Sequence, residues 1–142
     1  MIRAVSNENQ YQWAELCAVL WPHHPVEYFL QGREAAKHFQ NAFLYFVRNE
    51  AVAFIILSLR NDYVEGTSSS PVGYLEGIYV KPEYRNQGIA REMVQYAIKW
   101  AAENGCTEFA SDCLLENEES RKFHSRIGFS EKNTIVHFAM KI

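Results

Sequence analysis

The stretch from Val72 to Asn104 constrains the fold more than any other part of the chain. It opens with VGYLEGIYV, a run of strand character closed by Lys81-Pro82. A carboxylate, Glu76, and a glycine, Gly77, stand in the middle of this otherwise apolar strand. A short turn, Arg85-Asn86-Gln87-Gly88-Ile89-Ala90-Arg91, then leads straight into a segment where Ile89, Met93, Val94, Ala97, Ile98 and Ala101 form one apolar stripe at helical spacing. Gly105 is a natural stop for that helix. A strand feeding an amphipathic helix through so short a turn calls for a sheet with helices packed on it.

The flanking segments complete the pattern. Residues 2–5 read as a first strand, and Asn7 or Asn9 caps a helix whose Trp13, Leu16, Cys17 and Leu20 fall at helical spacing before Pro22 stops it. A second helix is expected over about 26–40. The runs AFLYFVR and AVAFIILSLR, separated at Asn49-Glu50, form a hairpin, and Glu65–Pro71 is a loop inside the domain. After Gly105 come a strand at about 106–113, a helix at about 117–126 ended by Gly128, and a final strand at about 134–141. The order β-α-α-β-β-β-α-β-α-β predicts an α/β chain with a mixed sheet and helices on both faces. Its alternation is too irregular for a doubly wound nucleotide fold. No repeat or low-complexity linker divides the 142 residues, so a single domain over 1–142 is expected.

Composition narrows the functions. With 48% hydrophobic and 22% charged residues, a chain of this length buries roughly 70% of its unfolded surface, which excludes a disordered or fibrous protein. The 14 basic residues are outnumbered by 17 acidic ones, for a net charge of −3. That is a poor footprint for phosphate backbones, so nucleic acid is not an expected partner and a cationic one is allowed. The apolar run Ala51–Leu57 is far short of the ~20 residues that cross a bilayer, and the opening MIRAVSNENQ lacks a signal-peptide core, so no membrane association and a cytoplasmic location are expected. Cys17, Cys106 and Cys113 fit neither a disulfide framework nor a zinc site and read as reduced thiols. The adjacent pair His23-His24 does not converge as i and i+4 ligands do, and no metal is expected.

The turn Arg85–Arg91 carries the first chemical signal. A turn running into a helix N-terminus presents unpaired N–H groups and the positive end of the helix dipole to an anion, and a small residue there lets a phosphate approach closely. In form it is a pyrophosphate cradle. The plainer reading is an ordinary strand-to-helix turn. It is not a Walker loop, because no Gly-Lys-Ser/Thr follows.

The run from Ile78 through Ala90 (IYVKPEYRNQGIA) resembles the signature of the GNAT superfamily of acetyl-CoA-dependent N-acetyltransferases, V-x-P-x-x-R-x-x-G-x-G/A. Asn117 followed by Phe123-His124-Ser125-Arg126-Ile127-Gly128-Phe129 is similar to that family's second element. Tyr63-Val64-Glu65-Gly66, Ser70–Val80 and Cys106–Asp112, with Leu20-Trp21, resemble more narrowly the aminoglycoside 6′-N-acetyltransferases of the Acinetobacter and Salmonella type. The resemblance implies a mostly antiparallel, splayed sheet, acetyl-CoA as co-substrate without a metal, a polycationic aminoglycoside as acceptor, and direct attack in a ternary complex. It also implies that backbone at Ile78, Tyr79 and Val80 receives the acetyl and pantetheine amides. Asn86, Gln87, Gly88, Ile89, Ala90 and Arg91 would hold the pyrophosphate, and Asn117 the pantetheine arm.

Physical chemistry adds candidate roles beside that resemblance. Alternation puts Tyr74, Glu76, Ile78 and Val80 on one side of their strand, and Gly77 suggests a bulge that frees backbone groups to polarise a carbonyl. Glu76, among apolar neighbours, needs a cation; a bound ammonium qualifies, and Glu76 then serves as general base, while the alternative is pairing with an arginine. The resemblance makes Asp112 a second carboxylate for a polycation, and the plainer reading is a strand-end cap. Trp21 and Tyr63 are flat walls for sugar rings, with core packing the competing view for Trp21. Asn117 is also a good N-cap. His124 stands where many family members have a tyrosine acid, leaving either an imidazolium or solvent to protonate the thiolate. The resemblance implies a glutamate facing the aminoglycoside where this chain has Asn133, with Glu131 two residues away. Cys113 has no identifiable activating group for a covalent route. The apolar residues Ile135, Val136, Phe138 and Met140 can pair across a two-fold axis, and a homodimer is expected. The alternatives are the same chemistry on a polyamine or protein N-terminus, and a non-catalytic acyl-CoA-binding module.

Overall fold

The computed structural model describes residues 1–35, 39 and 41–142. Strand β1 (Ile2–Ala4) is followed by helices α1 (Gln10–Leu20) and α2 (Val26–Ala35) and by strands β2 (Asn41–Val47), β3 (Glu50–Arg60) and β4 (Val72–Val80). Helix α3 (Ile89–Glu103), strand β5 (Phe109–Ser111) and helix α4 (Glu118–Ile127) complete the described elements. The strands lie in chain order β1-β2-β3-β4-β5. All neighbours are antiparallel except β4 and β5, which run parallel. The α/β reading with a mixed, mostly antiparallel sheet therefore holds.

The near-continuous apolar run of β3 makes it the middle strand, because only a strand covered on both faces tolerates such a run. Phe54 and Ile56 pack with Trp13, Leu16 and Phe29 from α1 and α2. Ile55 and Leu57 point to the other layer, with Met93, Val94 and Ala97 of α3. Met93 is wholly buried there, and its truncation to alanine costs about 2–5 kcal/mol. The hairpin turn falls one residue earlier than expected: Val47 pairs with Glu50, and Arg48 takes the left-handed conformation at φ 57. Asn9 caps α1 by position only. Its amide instead accepts from the Ser6 N–H at 2.8 Å and donates to the Ala4 carbonyl at 3.2 Å, tying the helix start to the end of β1.

Two expectations need correction, and a third falls partly outside the described residues. The helix expected over 26–40 is described as α2 to Ala35, and most of the remainder lies outside the described residues. The strand expected at 106–113 is only β5, because its parallel partners run from Gly73↔Phe109 to Leu75↔Ser111 and a β-bulge then turns the edge of β4 away. The final strand at 134–141 is not formed: residues 130–142 are non-regular and exposed, with Phe138 93% and Met140 88% accessible. Strand propensity alone makes no strand, and among the described residues no sheet edge pairs with this segment.

Candidate active site

The bulge organises the site. Ile56 of β3 pairs with Gly77 and the next residue, Leu57, with Leu75, so Glu76 is the unpaired extra residue. An extra residue flips the alternation that follows it. Leu75, Ile78 and Val80 accordingly join the cluster under α3, while Tyr79 packs in the α1–α2 layer. This corrects the expectation that Ile78 and Val80 share a side with Glu76. The grouping of Tyr74 with Glu76 survives.

Glu76 meets a cation from its own sheet. Its Oε1 accepts from the Ser58 hydroxyl at 2.7 Å and from Arg60 Nη2 at 2.8 Å, and its Oε2 accepts from the same Nη2 at 3.1 Å. The Arg60 guanidinium also lies over the Tyr74 ring, 3.4 Å from its centroid. The Tyr74 hydroxyl donates to Asp112 just past β5. Burial, then that hydrogen bond to a carboxylate, pushes the Tyr74 phenol well above its ordinary range. Two carboxylates, one phenol and one guanidinium thus form a single cluster at the fork between β4 and β5. Ser58 and Arg60 were missed in the sequence. They alternate along the end of β3, but only the bulged register reveals that they face Glu76.

Gly77 serves a second purpose. A Cβ there would lie 2.6 Å from Cη2 and 2.9 Å from Cζ2 of Trp21, so the indole rests directly on the strand. Trp21 is half-buried, with ring centroids 5.9 Å from Phe29 and 5.8 Å from Phe54. It belongs to the core on one face while lying beside the residue that follows Glu76. Tyr63 is 75% exposed on the loop after β3, and among the described residues no hydrogen bond joins it to the cluster. Asn133 donates to Glu65 at 2.8 Å, while Glu131 is held by Arg121 at 2.6 Å.

Past Leu75 the outer edge of β4, carrying Ile78, Tyr79 and Val80, has no partner strand among the described residues. That edge leads through the turn to α3. Gly88 caps the helix at φ 84, a conformation glycine adopts without strain, and a Cβ there would meet nothing within 4 Å. The first helical bond runs from the Glu92 N–H to the Gly88 carbonyl. The N–H groups of Gly88, Ile89, Ala90 and Arg91 have no acceptor among the described residues. Open space in front of unpaired donors suits a diphosphate.

His124, on α4, is fixed at both nitrogens. Nδ1 lies 2.7 Å from the Ser120 carbonyl, which can only accept, so Nδ1 carries a proton. Nε2 is 2.8 Å from the hydroxyl of Ser111, which is itself 3.2 Å from the Leu75 carbonyl. Ser111, the last residue of β5, was also missed, since nothing in its sequence context marks it. Asn117 is the N-cap of α4, its side chain accepting from the Ser120 N–H at 3.1 Å. Cys113 is free and exposed, and among the described residues no histidine is hydrogen-bonded to it.

The family model described as the acetyltransferase (GNAT) family matches residues 7–129. The chain is 38% identical to an aminoglycoside N(6′)-acetyltransferase type 1 of Acinetobacter baumannii, covering 99% of this chain and 98% of that protein. It is 36% identical to a protein of the same name from Salmonella enteritidis, with 96% of each covered. Among solved structures it matches AAC(6′)-Iy in complex with the bisubstrate analogue CoA-S-monomethyl-acetylneamine, with a TM-score of 0.92 and 34% identity over 100% of this chain and 98% of that one.

Proposed function

The chain belongs to the GNAT family of acetyltransferases, and from that premise we propose that it transfers the acetyl group of acetyl-CoA to the 6′-amine of aminoglycoside antibiotics by direct attack in a ternary complex. The observation that carries this reading is the bulge that sets Glu76 at a fork of the sheet, with a second carboxylate, Asp112, one tyrosine away. Full-length similarity to relatives of that activity supports it.

Each part of the chain then has a task. The unpaired N–H groups from Gly88 to Arg91 hold the pyrophosphate, flanked by Asn86 and Gln87. The free edge of β4 at Ile78, Tyr79 and Val80 pairs with amides of the pantetheine arm, and Asn117 lies at the arm's far side. Acetyl-CoA, when bound, supplies an activated thioester. Backbone N–H groups at the bulge polarise its carbonyl, an interaction worth roughly 2.7–4 kcal/mol per donor. Glu76 orients the 6′-ammonium and removes its proton, directly or through a water, so that nitrogen bonds to the acetyl carbon as the carbon–sulfur bond breaks. His124 gives the departing sulfur a proton by way of the Ser111 hydroxyl, and the second proton shed by the acetylated nitrogen passes to water. Trp21 and Tyr63 flank the sugar rings, and Asp112 takes a second ammonium.

This reading includes a single domain, a cytoplasmic enzyme and a homodimer. The exposed apolar side chains of Ile135, Val136, Phe138 and Met140 support the dimer, since a chain rarely leaves such a row in water without a partner. A thiol-release assay with acetyl-CoA and a panel of amines tests the function. Turnover with kanamycin-like aminoglycosides and none with spermidine or an N-terminal peptide is expected. Preference for spermidine or the peptide overturns the substrate assignment, and cofactor binding without release on any amine overturns the enzyme assignment.

A further inference from the structure

The loop between β3 and β4, residues 61–71, is pinned by one carboxylate from outside it. Glu108, the residue before β5, accepts through Oε1 from the Ser68 N–H at 2.9 Å and from the Ser69 hydroxyl. These bonds, that from Ser69 first, hold the Glu108 carboxyl below its ordinary range, because they are made to its charged form. The loop also closes on itself: the Thr67 hydroxyl donates to the Val64 carbonyl at 2.7 Å, and the Ser70 hydroxyl to the Asn61 carbonyl at 3.0 Å. Val64 is buried and packs with Tyr74, whose hydroxyl is bonded to Asp112 at the fork of the sheet. Its neighbour Tyr63 stands out from the same loop, 75% exposed.

The staple is separable from the sheet. The Glu108 carbonyl accepts from the Gly73 N–H at 3.1 Å, so the register of β4 and β5 does not depend on the Glu108 side chain. Lys132 against Gly66 and the Asn133 bond to Glu65 also reach the loop, but from a segment that is itself exposed and non-regular. A binding residue on a loop is only as well placed as the scaffold beneath it. Ordering such a wall during binding costs affinity, and a wall ordered beforehand avoids that cost. A charge-assisted pair of bonds at the loop's tip supplies that order before any ligand arrives. We propose that Glu108 is a positioning residue that holds the loop 61–71 as a preformed wall and so sets the affinity for the acceptor without touching it. This rests on the reading of Tyr63 as an acceptor wall under the proposed function.

The test compares the wild type, Glu108→Ala and Glu108→Gln by calorimetric titration of a kanamycin-like aminoglycoside and of coenzyme A, and by steady-state acetyl transfer. In Glu108→Ala the aminoglycoside weakens by about tenfold while coenzyme A stays within roughly twofold, and the loss enters KM while kcat at saturating acceptor is kept. The Ser68 amide exchanges faster with solvent in the same variant. Glu108→Gln keeps an acceptor oxygen and recovers most of the affinity. Tyr63→Ala loses less acceptor affinity in the Glu108→Ala background than in the wild type, since the wall is already released. Unchanged aminoglycoside affinity in Glu108→Ala overturns the proposal, as do equal losses for both ligands, which mark a general destabilisation, and additive losses with Tyr63→Ala. A wild type that binds coenzyme A but no aminoglycoside overturns the acceptor assignment and this proposal with it, a result distinct from normal wild-type binding that Glu108→Ala leaves unchanged.

Discussion

Replacing Gly77 by alanine tests whether the indole of Trp21 really rests on the bulged strand. The new methyl carbon would sit 2.6 Å from Cη2 and 2.9 Å from Cζ2 of the ring, and 3.8 Å from Cε2 of Phe54. Gly77 is not among the residues with positive φ, so the penalty is steric and not a matter of backbone strain. The ring has little room to retreat, since Phe29 and Phe54 back it at 5.9 and 5.8 Å between centroids. Overpacking of this kind costs about 1–3 kcal/mol. With an unfolding entropy near 2.1 cal/mol/K per residue, the 142-residue chain loses roughly 3–10 °C of melting temperature. Differential scanning calorimetry reads the loss, and the same substitution in a Trp21→Leu background should carry little further penalty, because the clashing atoms are gone. A Gly77→Ala protein as stable as the wild type, or an equal loss in both backgrounds, would refute the packing.

Four further outcomes follow from the same geometry. Glu76→Gln keeps coenzyme A affinity but lowers turnover by about 10²–10⁴-fold in the thiol-release assay, and unchanged rates would remove the base role. His124→Gln and Ser111→Ala should depress kcat alike and not add when combined, if the hydroxyl lies between imidazole and sulfur; additive losses would contradict that order. The Tyr74 phenol, held above its ordinary range by burial and by Asp112, stays protonated in the fold. Its contribution to stability is present below the unfolded value of about 10 and is lost as pH rises beyond it, so ultraviolet titration should lose its latest tyrosine in Tyr74→Phe, while Tyr45 and Tyr84, raised by their bonds to Glu92 and Glu50, remain. Removing residues 134–142 should convert a dimer to a monomer by analytical ultracentrifugation, and a monomeric wild type at micromolar concentration contradicts the dimer.

What was legible in the sequence was what depends on local periodicity. The stripe on α3, the hairpin of β2 and β3, and the bulge at Gly77 are each written within a short window. Faces and partners depend on register and were not. Alternation placed Ile78 and Val80 with Glu76, and the one extra residue at the bulge sent them to the α3 layer. Arg60 lies 16 positions before Glu76, and only pairing across β3 and β4 brings them together. Ser111 gains its interest from α4, which carries His124 to it from 13 residues away. The segment 134–141 has strand composition, yet among the described residues it pairs with no edge of the sheet.

Acetyl transfer by this chain depends most on the α3 N-terminus as a diphosphate receptor. Titration calorimetry of coenzyme A against the wild type and Gly88→Val measures this directly. A side chain at φ 84 is strained and fills the open space before the unpaired amides. Saturable binding of coenzyme A by the wild type and a loss of at least about tenfold in the variant are expected. No measurable affinity in the folded wild type, or equal affinity in both proteins, would contradict the receptor role.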